Sequence, residues 1–346
     1  MASKTFLVVC NSGIGNTVLA VPLILRLRHL MPDAKIICAG KSVNMVLIDV
    51  PDLVDGVFHI DCDTNLLVYM LRNRSFFIFD TCFITCTSYN AYKLRTMRLL
   101  GIVRRIVGIN HENTAEGLLD EALPFDSSVH ESDMNLSLID SRMSPDVLPD
   151  LFLRDGEIDA ARKALSDLAL DKGLFVVFHL GWVPESSYKA FPRSLFLRFV
   201  DHVRSLGFKP LVIGSDCEIE FVKRFVDVRR AGIALHASGD IRISASILSM
   251  ARCLVSVDTG IMHIASAVGT PVIAIFGPSN MARCAPIPKF DGQVHILRNE
   301  ELELCLGCRE RWGLHGCFFN RECLSGIDFD KAKSLLSETL LHSSAS

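Results

Sequence analysis

Short apolar runs, most of them followed by a stretch of helix length, recur along this chain and limit what it can fold into. In the first half the runs are Phe6–Cys10, Ile36–Ala39, Val57–Ile60, Phe76–Phe79 and Arg105–Ile109, with helical stretches near Val18–Leu30, Leu66–Arg72 and Ala91–Leu100. In the second half they are Leu174–His179, Pro210–Ile213, Ile233–His236, Cys253–Val257 and Val272–Phe276, with helical stretches near Ser194–Leu206, Glu218–Val226, Ala245–Met250 and Ile261–Ala267. Strands that alternate with helices pair in parallel through crossovers, so the pattern predicts βαβ units. Two such series in 346 residues predict an α/β protein of two doubly wound, Rossmann-like domains. A hydrophobic content of 49% agrees, because parallel strands are buried on both faces.

Turn-rich Met143-Ser144-Pro145-Asp146 and Leu148-Pro149-Asp150 mark the boundary, giving a first domain over 1–155 and a second over 172–327. A closing helix follows over 328–342. The formal net charge of −3 argues against a nucleic-acid partner. No apolar run reaches the roughly 18–20 residues that cross a bilayer. Met1 to Phe6 leads almost directly into a strand without a signal-peptide layout, and the twelve cysteines then suit a reducing cytoplasm.

Chemistry concentrates in a few turns. Val257-Asp258-Thr259-Gly260-Ile261-Met262-His263 reads as a strand end, a polar turn and a helix start. A helix start offers N–H groups and partial positive charge to an anion. Lys189, before Phe191-Pro192, can hold a phosphate as a point charge or be a solvated surface lysine. Glu218, in Gly214-Ser215-Asp216-Cys217-Glu218, can accept from ribose hydroxyls or complement a helix dipole. Asn11-Ser12-Gly13-Ile14-Gly15-Asn16-Thr17 follows the first strand, and Gly13 and Gly15 would admit a ligand close to the backbone. It is neither a dinucleotide fingerprint nor a P-loop, since the third glycine and Gly-Lys-Ser/Thr are absent. Cys305, Cys308, Cys317 and Cys323, in a cysteine-rich segment over 305–323, suit a tetrahedral Zn or Fe site or are unrelated reduced thiols.

Together these motifs resemble glycosyltransferase family 9, the ADP-heptose:lipopolysaccharide heptosyltransferases. Gly13-Ile14-Gly15-Asn16, Ile78-Phe79-Asp80, His130 to Asn135, Lys189-Ala190-Phe191-Pro192, Gly214 to Glu218 and above all Asp258 to Ser279 carry the resemblance. It implies a GT-B architecture, two Rossmann-like domains facing across a cleft, with the last helix packing back on the first domain. It implies inverting transfer of heptose from ADP-heptose, or a related ADP-sugar donor, to a hydroxyl of lipopolysaccharide core or another glycan. No catalytic cofactor is implied. Donor-binding residues would be Lys189, Glu218, Asp258, Thr259, Gly260 and His263, and acceptor-binding residues Gly13, Gly15 and Asn16. Many relatives carry Asp where this chain has Asn16, which cannot take a proton at neutral pH. Asp80, taken as the carboxyl end of the Phe76–Phe79 strand, is the expected replacement base, with Asn16 and Lys189 beside it in the catalytic set. The cysteine segment resembles the cysteine finger of autotransporter-modifying relatives, where the metal is structural, and so brings in a protein acceptor. A lipid-linked glycan acceptor would mean peripheral contact with the inner membrane. Asn16 also fits a non-catalytic nucleotide-sugar binding protein, and the scaffold fits a nucleotide-sugar epimerase.

Overall fold

The computed structural model describes residues 4–10, 12–60, 78–86, 96–110, 117–139, 147–182, 189–237, 239–302 and 322–342. The chain divides into two compact units, Met1–Phe152 and Leu153–Ser346. Both are α/β, and each is built on a six-stranded parallel sheet.

In the first unit the elements run β1 (Thr5–Cys10), α1 (Ile14–Leu30), β2 (Lys35–Gly40), α2 (Ser42–Ile48), β3 (Gly56–His59), β4 (Phe79–Ile84), β5 (Val103–Asn110), β6 (Glu121–Pro124) and α3 (Glu131–Ser137). The sheet order is β3-β2-β1-β4-β5-β6. Leu7, Ile37, Phe79, Cys82 and Ile106 form the centre of one buried cluster. The chain reverses direction across the sheet between β1 and β4. At the carboxyl end of that crevice lie Ser12 to Asn16 after β1 and Thr85-Cys86 after β4, the position where open α/β sheets bind ligands.

The structure differs from the sequence reading at β4. The aromatic run 76–79 suggested a strand ending at Phe79, but Phe79 begins the strand. Two short strands, β6 and, in the second unit, β12 (Val294–Leu297), were not anticipated from so few apolar residues. The helix foreseen over 66–72 and the first half of that over 91–100 lie outside the described residues.

The second unit runs α4 (Asp155–Asp167), β7 (Phe175–His179), α5 (Arg193–Ser205), β8 (Lys209–Gly214), α6 (Asp216–Phe225), β9 (Ala234–Ala237), α7 (Ile241–Met250), β10 (Cys253–Val257), α8 (Gly260–Ala267), β11 (Val272–Ile275), α9 (Met281–Cys284), β12, α10 (Glu322–Ser325) and α11 (Phe329–His342). Its sheet order is β12-β11-β10-β7-β8-β9, so β7 and β10 flank its reversal point. Phe178, Phe196, Phe199, Val255 and Ile273 are central to its core.

Two expectations about the domain edges change. The helix over 155–167 belongs to the second unit. Its Glu157 takes two bonds from the buried Arg242 of α7, Nε to Oε1 at 2.5 Å and Nη2 to Oε2 at 2.8 Å. The closing helix was expected on the first domain. Its buried stripe, Ala332, Leu336 and Leu340, instead lies in the core of the second unit. Phe329 packs edge-on against Phe199 at 5.4 Å, and Arg252 Nε donates to the Leu340 carbonyl at 2.8 Å. Apolar residues four apart make one helix face, and that face is taken up here. Among the described residues no helix is long and apolar enough to cross a membrane.

The Glu157–Arg242 pair yields a prediction. Burial works to raise the Glu157 pKa, but the bonds from Arg242 and Arg154 prevail and lower it. Its stabilising contribution is therefore present above the unfolded carboxylate value and fades as pH falls through the lower folded one. Glu157→Ala leaves Arg242 buried without this partner and should cost about 3 kcal/mol at pH 7 by urea denaturation. The difference from wild type should narrow in acid.

Candidate functional site

The second unit gathers a charged cluster where β7 and β10 end. All five residues of β10 are buried, and the strand delivers Asp258 and Thr259 to the N-terminus of α8. Lys189 forms an ion pair with Asp258, and the two side chains are only 15% and 10% exposed. Burial pushes the Asp258 pKa up. The Lys189 ammonium, the Ser279 hydroxyl and His263 outweigh that and hold it below the usual carboxylate value. Gly181 sits at φ +60, and a Cβ there would lie 3.0 Å from Val257 Cγ2 and 3.5 Å from Thr259 Cγ2. The chain leaving β7 thus runs tightly against the Asp258–Thr259 turn, as only glycine permits. Lys189, Asp258, Thr259, Gly260 and His263, which the sequence reading grouped together, do converge here.

His179 was not anticipated. It ends β7 in register with Ser256 of β10, and its Nδ1 lies 3.0 Å from Thr259 Oγ1. Its Nε2 lies 3.4 Å from Glu218 Oε1. Burial lowers its pKa, and Glu218 only partly opposes this, so the ring is neutral at pH 7. A carboxylate can only accept, so the ring proton sits on Nε2 toward Glu218, and Nδ1 accepts from the Thr259 hydroxyl. Thr259 therefore commits its hydroxyl proton to His179, which leaves the backbone N–H groups at the start of α8 to meet an anion. A histidine closing an otherwise apolar strand at the reversal point was the available signal.

Glu218 takes the helix-start role that its position suggested. Its Oε2 accepts from the Ser215 N–H at 2.9 Å and from Ser215 Oγ at 3.0 Å, while the Ser215 hydroxyl caps the Glu218 N–H in return. Oε1 remains on the His179 side.

The first unit holds a second polar cluster. α1 starts at Ile14, so Gly15, Asn16 and Thr17 form its first turn and not a loop, with Gly13 as the N-cap residue. The open glycine loop expected around Gly15 is thus replaced by helix. Asn16 Nδ2 donates to Glu131 Oε1 at 2.6 Å, and Asn16 Oδ1 accepts from Ser12 Oγ at 3.1 Å. Asn44 Nδ2 holds the Ser12 carbonyl at 2.8 Å. Glu131, in the first turn of α3, is 0% exposed.

Asp80 does not join this cluster. Thr5 N–H donates to its Oδ2 at 2.9 Å, and Arg104 Nη1 pairs with its Oδ1 at 2.9 Å. Phe6 is in register with Thr81, so Asp80 is level with the start of β1. Four residues of strand, Thr81 to Ile84, separate it from the carboxyl end, about 13 Å at 3.3 Å per residue. The replacement base expected from the sequence lies at the wrong end of the sheet, where it ties β4 to β1 and β5.

Of the four cysteines, Cys305, Cys308 and Cys317 lie outside the described residues. Cys323, on α10, is buried beside Gly277, where an added Cβ would come 3.2 Å from its sulfur. Among the described residues no group of three or more His, Cys, Asp and Glu side chains converges as a metal-ligand set.

The Lys189–Asp258 pair can be tested without any ligand. Lys189→Met strips the cation from a nearly buried carboxylate and should destabilise the second unit by about 3 kcal/mol at pH 7. The loss should shrink as pH falls, because a protonated Asp258 no longer needs the cation. Equilibrium unfolding at pH 7 and pH 4 would show it.

Residues 155–311 match the sequence model of glycosyltransferase family 9 (heptosyltransferase). The fold is shared with solved structures of low identity. A glycosyl transferase family 9 protein from Veillonella parvula DSM 2008 is 17% identical with a TM-score of 0.79, over 98% of each chain. The E. coli ADP-heptose lps heptosyltransferase II is 16% identical with a TM-score of 0.77, over 99% of this chain and 100% of that one. The bacterial iron-containing dodecameric glycosyltransferase TibC from enterotoxigenic E. coli is 13% identical with a TM-score of 0.60, over 97% of this chain and 76% of that one. No curated protein matches the chain.

Proposed function

From the family 9 glycosyltransferase domain over residues 155–311, we propose that this chain transfers a heptose from ADP-heptose to an acceptor hydroxyl with inversion. The observation that carries the reading is the Lys189–Asp258 pair at the N-terminus of α8. There a full positive charge and the helix N–H groups meet a polar turn, which is what a departing diphosphate requires. The likeness to a structure described as an ADP-heptose heptosyltransferase supports the choice of donor.

In this scheme the backbone of Thr259 and Gly260 and the Lys189 ammonium receive the diphosphate. Glu218, steadied by His179 and Ser215, accepts from the ribose. Asp258 and His263 face the sugar. The acceptor hydroxyl attacks the anomeric carbon as the bond from that carbon to the diphosphate oxygen breaks, and the electron pair leaves with ADP. Lys189 and α8 supply the positive charge for that step, so the scheme calls on no metal or other cofactor. The acceptor binds to the first unit near Gly13 and Asn16, in the cytoplasm, and is lipopolysaccharide core or another glycan.

A second acceptor reading, a protein, is favoured by one observation. The spacing of Cys305, Cys308, Cys317 and Cys323 fits a structural metal site, and the TibC glycosyltransferase of the same fold is iron-containing. Such a metal would brace the cysteine segment and take no part in transfer. Purified protein should then contain about one Zn or Fe per chain, lost together with stability on chelation. Metal-free, stably folded protein would remove this reading.

Calorimetric titration tests the donor site. Lys189→Ala should weaken ADP binding by about 1–3 kcal/mol, the scale of a lost charged hydrogen bond. Unchanged affinity would take Lys189 out of the site. Asp80→Asn should leave ADP release from ADP-heptose unchanged, because its carboxylate sits at the amino end of the sheet. Donor binding with no ADP release in wild type would favour a non-catalytic binding protein.

A further inference from the structure

We propose that Glu131 is the catalytic base of the first unit, and that Asn16 covers it until the acceptor arrives; the proposal rests on the glycosyl-transfer reading above. Glu131 stands at the carboxyl end of the first sheet, beside the crevice between β1 and β4, the end from which Asp80 is absent. Carboxylates are almost never fully buried unless paired, and Glu131 is 0% exposed. Its bond to Asn16 ties α3 to α1. The chemistry of that bond points further. Oε1 is held by a neutral amide, Asn16 Nδ2, at 2.6 Å.

Because a carboxylate can only accept, Glu131 fixes the amide with its NH2 inward and its carbonyl toward Ser12 Oγ. Asn16 is itself only partly buried and lies on the first turn of α1, between Glu131 and the loop. An acceptor hydroxyl can take the place of Asn16 Nδ2 as donor to Oε1. The exchange replaces one donor with another, so the buried oxygen is never left without a bond. The step balances: the hydroxyl O–H bond breaks and its proton goes to Glu131 Oε1, the oxygen bonds the anomeric carbon, and the carbon–diphosphate bond breaks with its electron pair leaving on ADP.

A tie between helices and a base respond differently to Glu131→Gln. The Gln carbonyl can still accept from Asn16 Nδ2, so a tie survives, whereas the capacity to take a proton is lost. The test uses the full chain with ADP-heptose and water as the only acceptor, and follows ADP release. Wild type should release ADP at a rate that falls in acid. Glu131→Gln should bind ADP and melt as wild type does, release ADP at least about 100-fold more slowly, and lose the acid limb. The double variant Asn16→Asp with Glu131→Gln should recover at least about tenfold, because position 16 then carries the carboxylate. Should Glu131→Gln alone fail to fold, the double variant is read against wild type, whose rate it should approach to within about tenfold. A Glu131→Gln rate within threefold of wild type, or a folded double variant without recovery, would overturn the assignment and leave the transferase reading standing. Wild type that binds ADP-heptose yet releases no ADP would overturn the transferase reading itself, and the base with it.

Discussion

The candidate site of the second unit depends on one nearly buried ion pair. Lys189 and Asp258 lie 69 residues apart in sequence and meet where β7 and β10 part. Removing two charges from water is costly, and the mutual attraction of the pair offsets that cost only because the positions are fixed. β10 fixes Asp258 through five buried residues, and Gly181 lets the chain after β7 run close against the turn. The same geometry that makes the pair tolerable places a lysine at a helix N-terminus. In the proposed scheme that lysine faces the departing diphosphate without reorganisation at the moment of reaction.

Around that pair the protein arranges proton positions through a chain of hydrogen bonds. The neutral His179 links Thr259 to Glu218, and each link dictates the next: the carboxylate sets the ring tautomer, and the tautomer sets the threonine hydroxyl. The first unit repeats the device in simpler form, with Glu131 setting the orientation of the Asn16 amide, which in turn receives Ser12. In both units a carboxylate at the carboxyl end of a parallel sheet orders the groups in front of it.

The alternation of apolar runs made the two parallel sheets legible, and the continuous Asp258–His263 segment made the helix start legible. Its chemistry is local, so spacing alone shows it. The partners of those residues were not legible to the same degree. Asn16 and Glu131 are 115 residues apart, and Thr259 and His179 are 80 apart, so only the strand order brings them together. Asp80 shows the opposite error. The aromatic run before it resembled a strand more closely than Phe79–Ile84 does, with its interrupting Asp80 and Thr81. In a parallel sheet a shift of a few residues matters greatly, because it moves a carboxylate from the binding end to the far end. The short strands β6 and β12 at the sheet edges carry too few apolar residues to be read against the loops around them.

The most direct test of sugar transfer from an ADP donor is the stereochemistry of the sugar released when ADP-heptose is incubated with the full chain. Proton NMR at early times distinguishes the anomers before they equilibrate. The account predicts stoichiometric ADP and heptose whose anomeric configuration is opposite to that of the donor. Retained configuration, or intact ADP-heptose after prolonged incubation with protein shown to bind it, would contradict it.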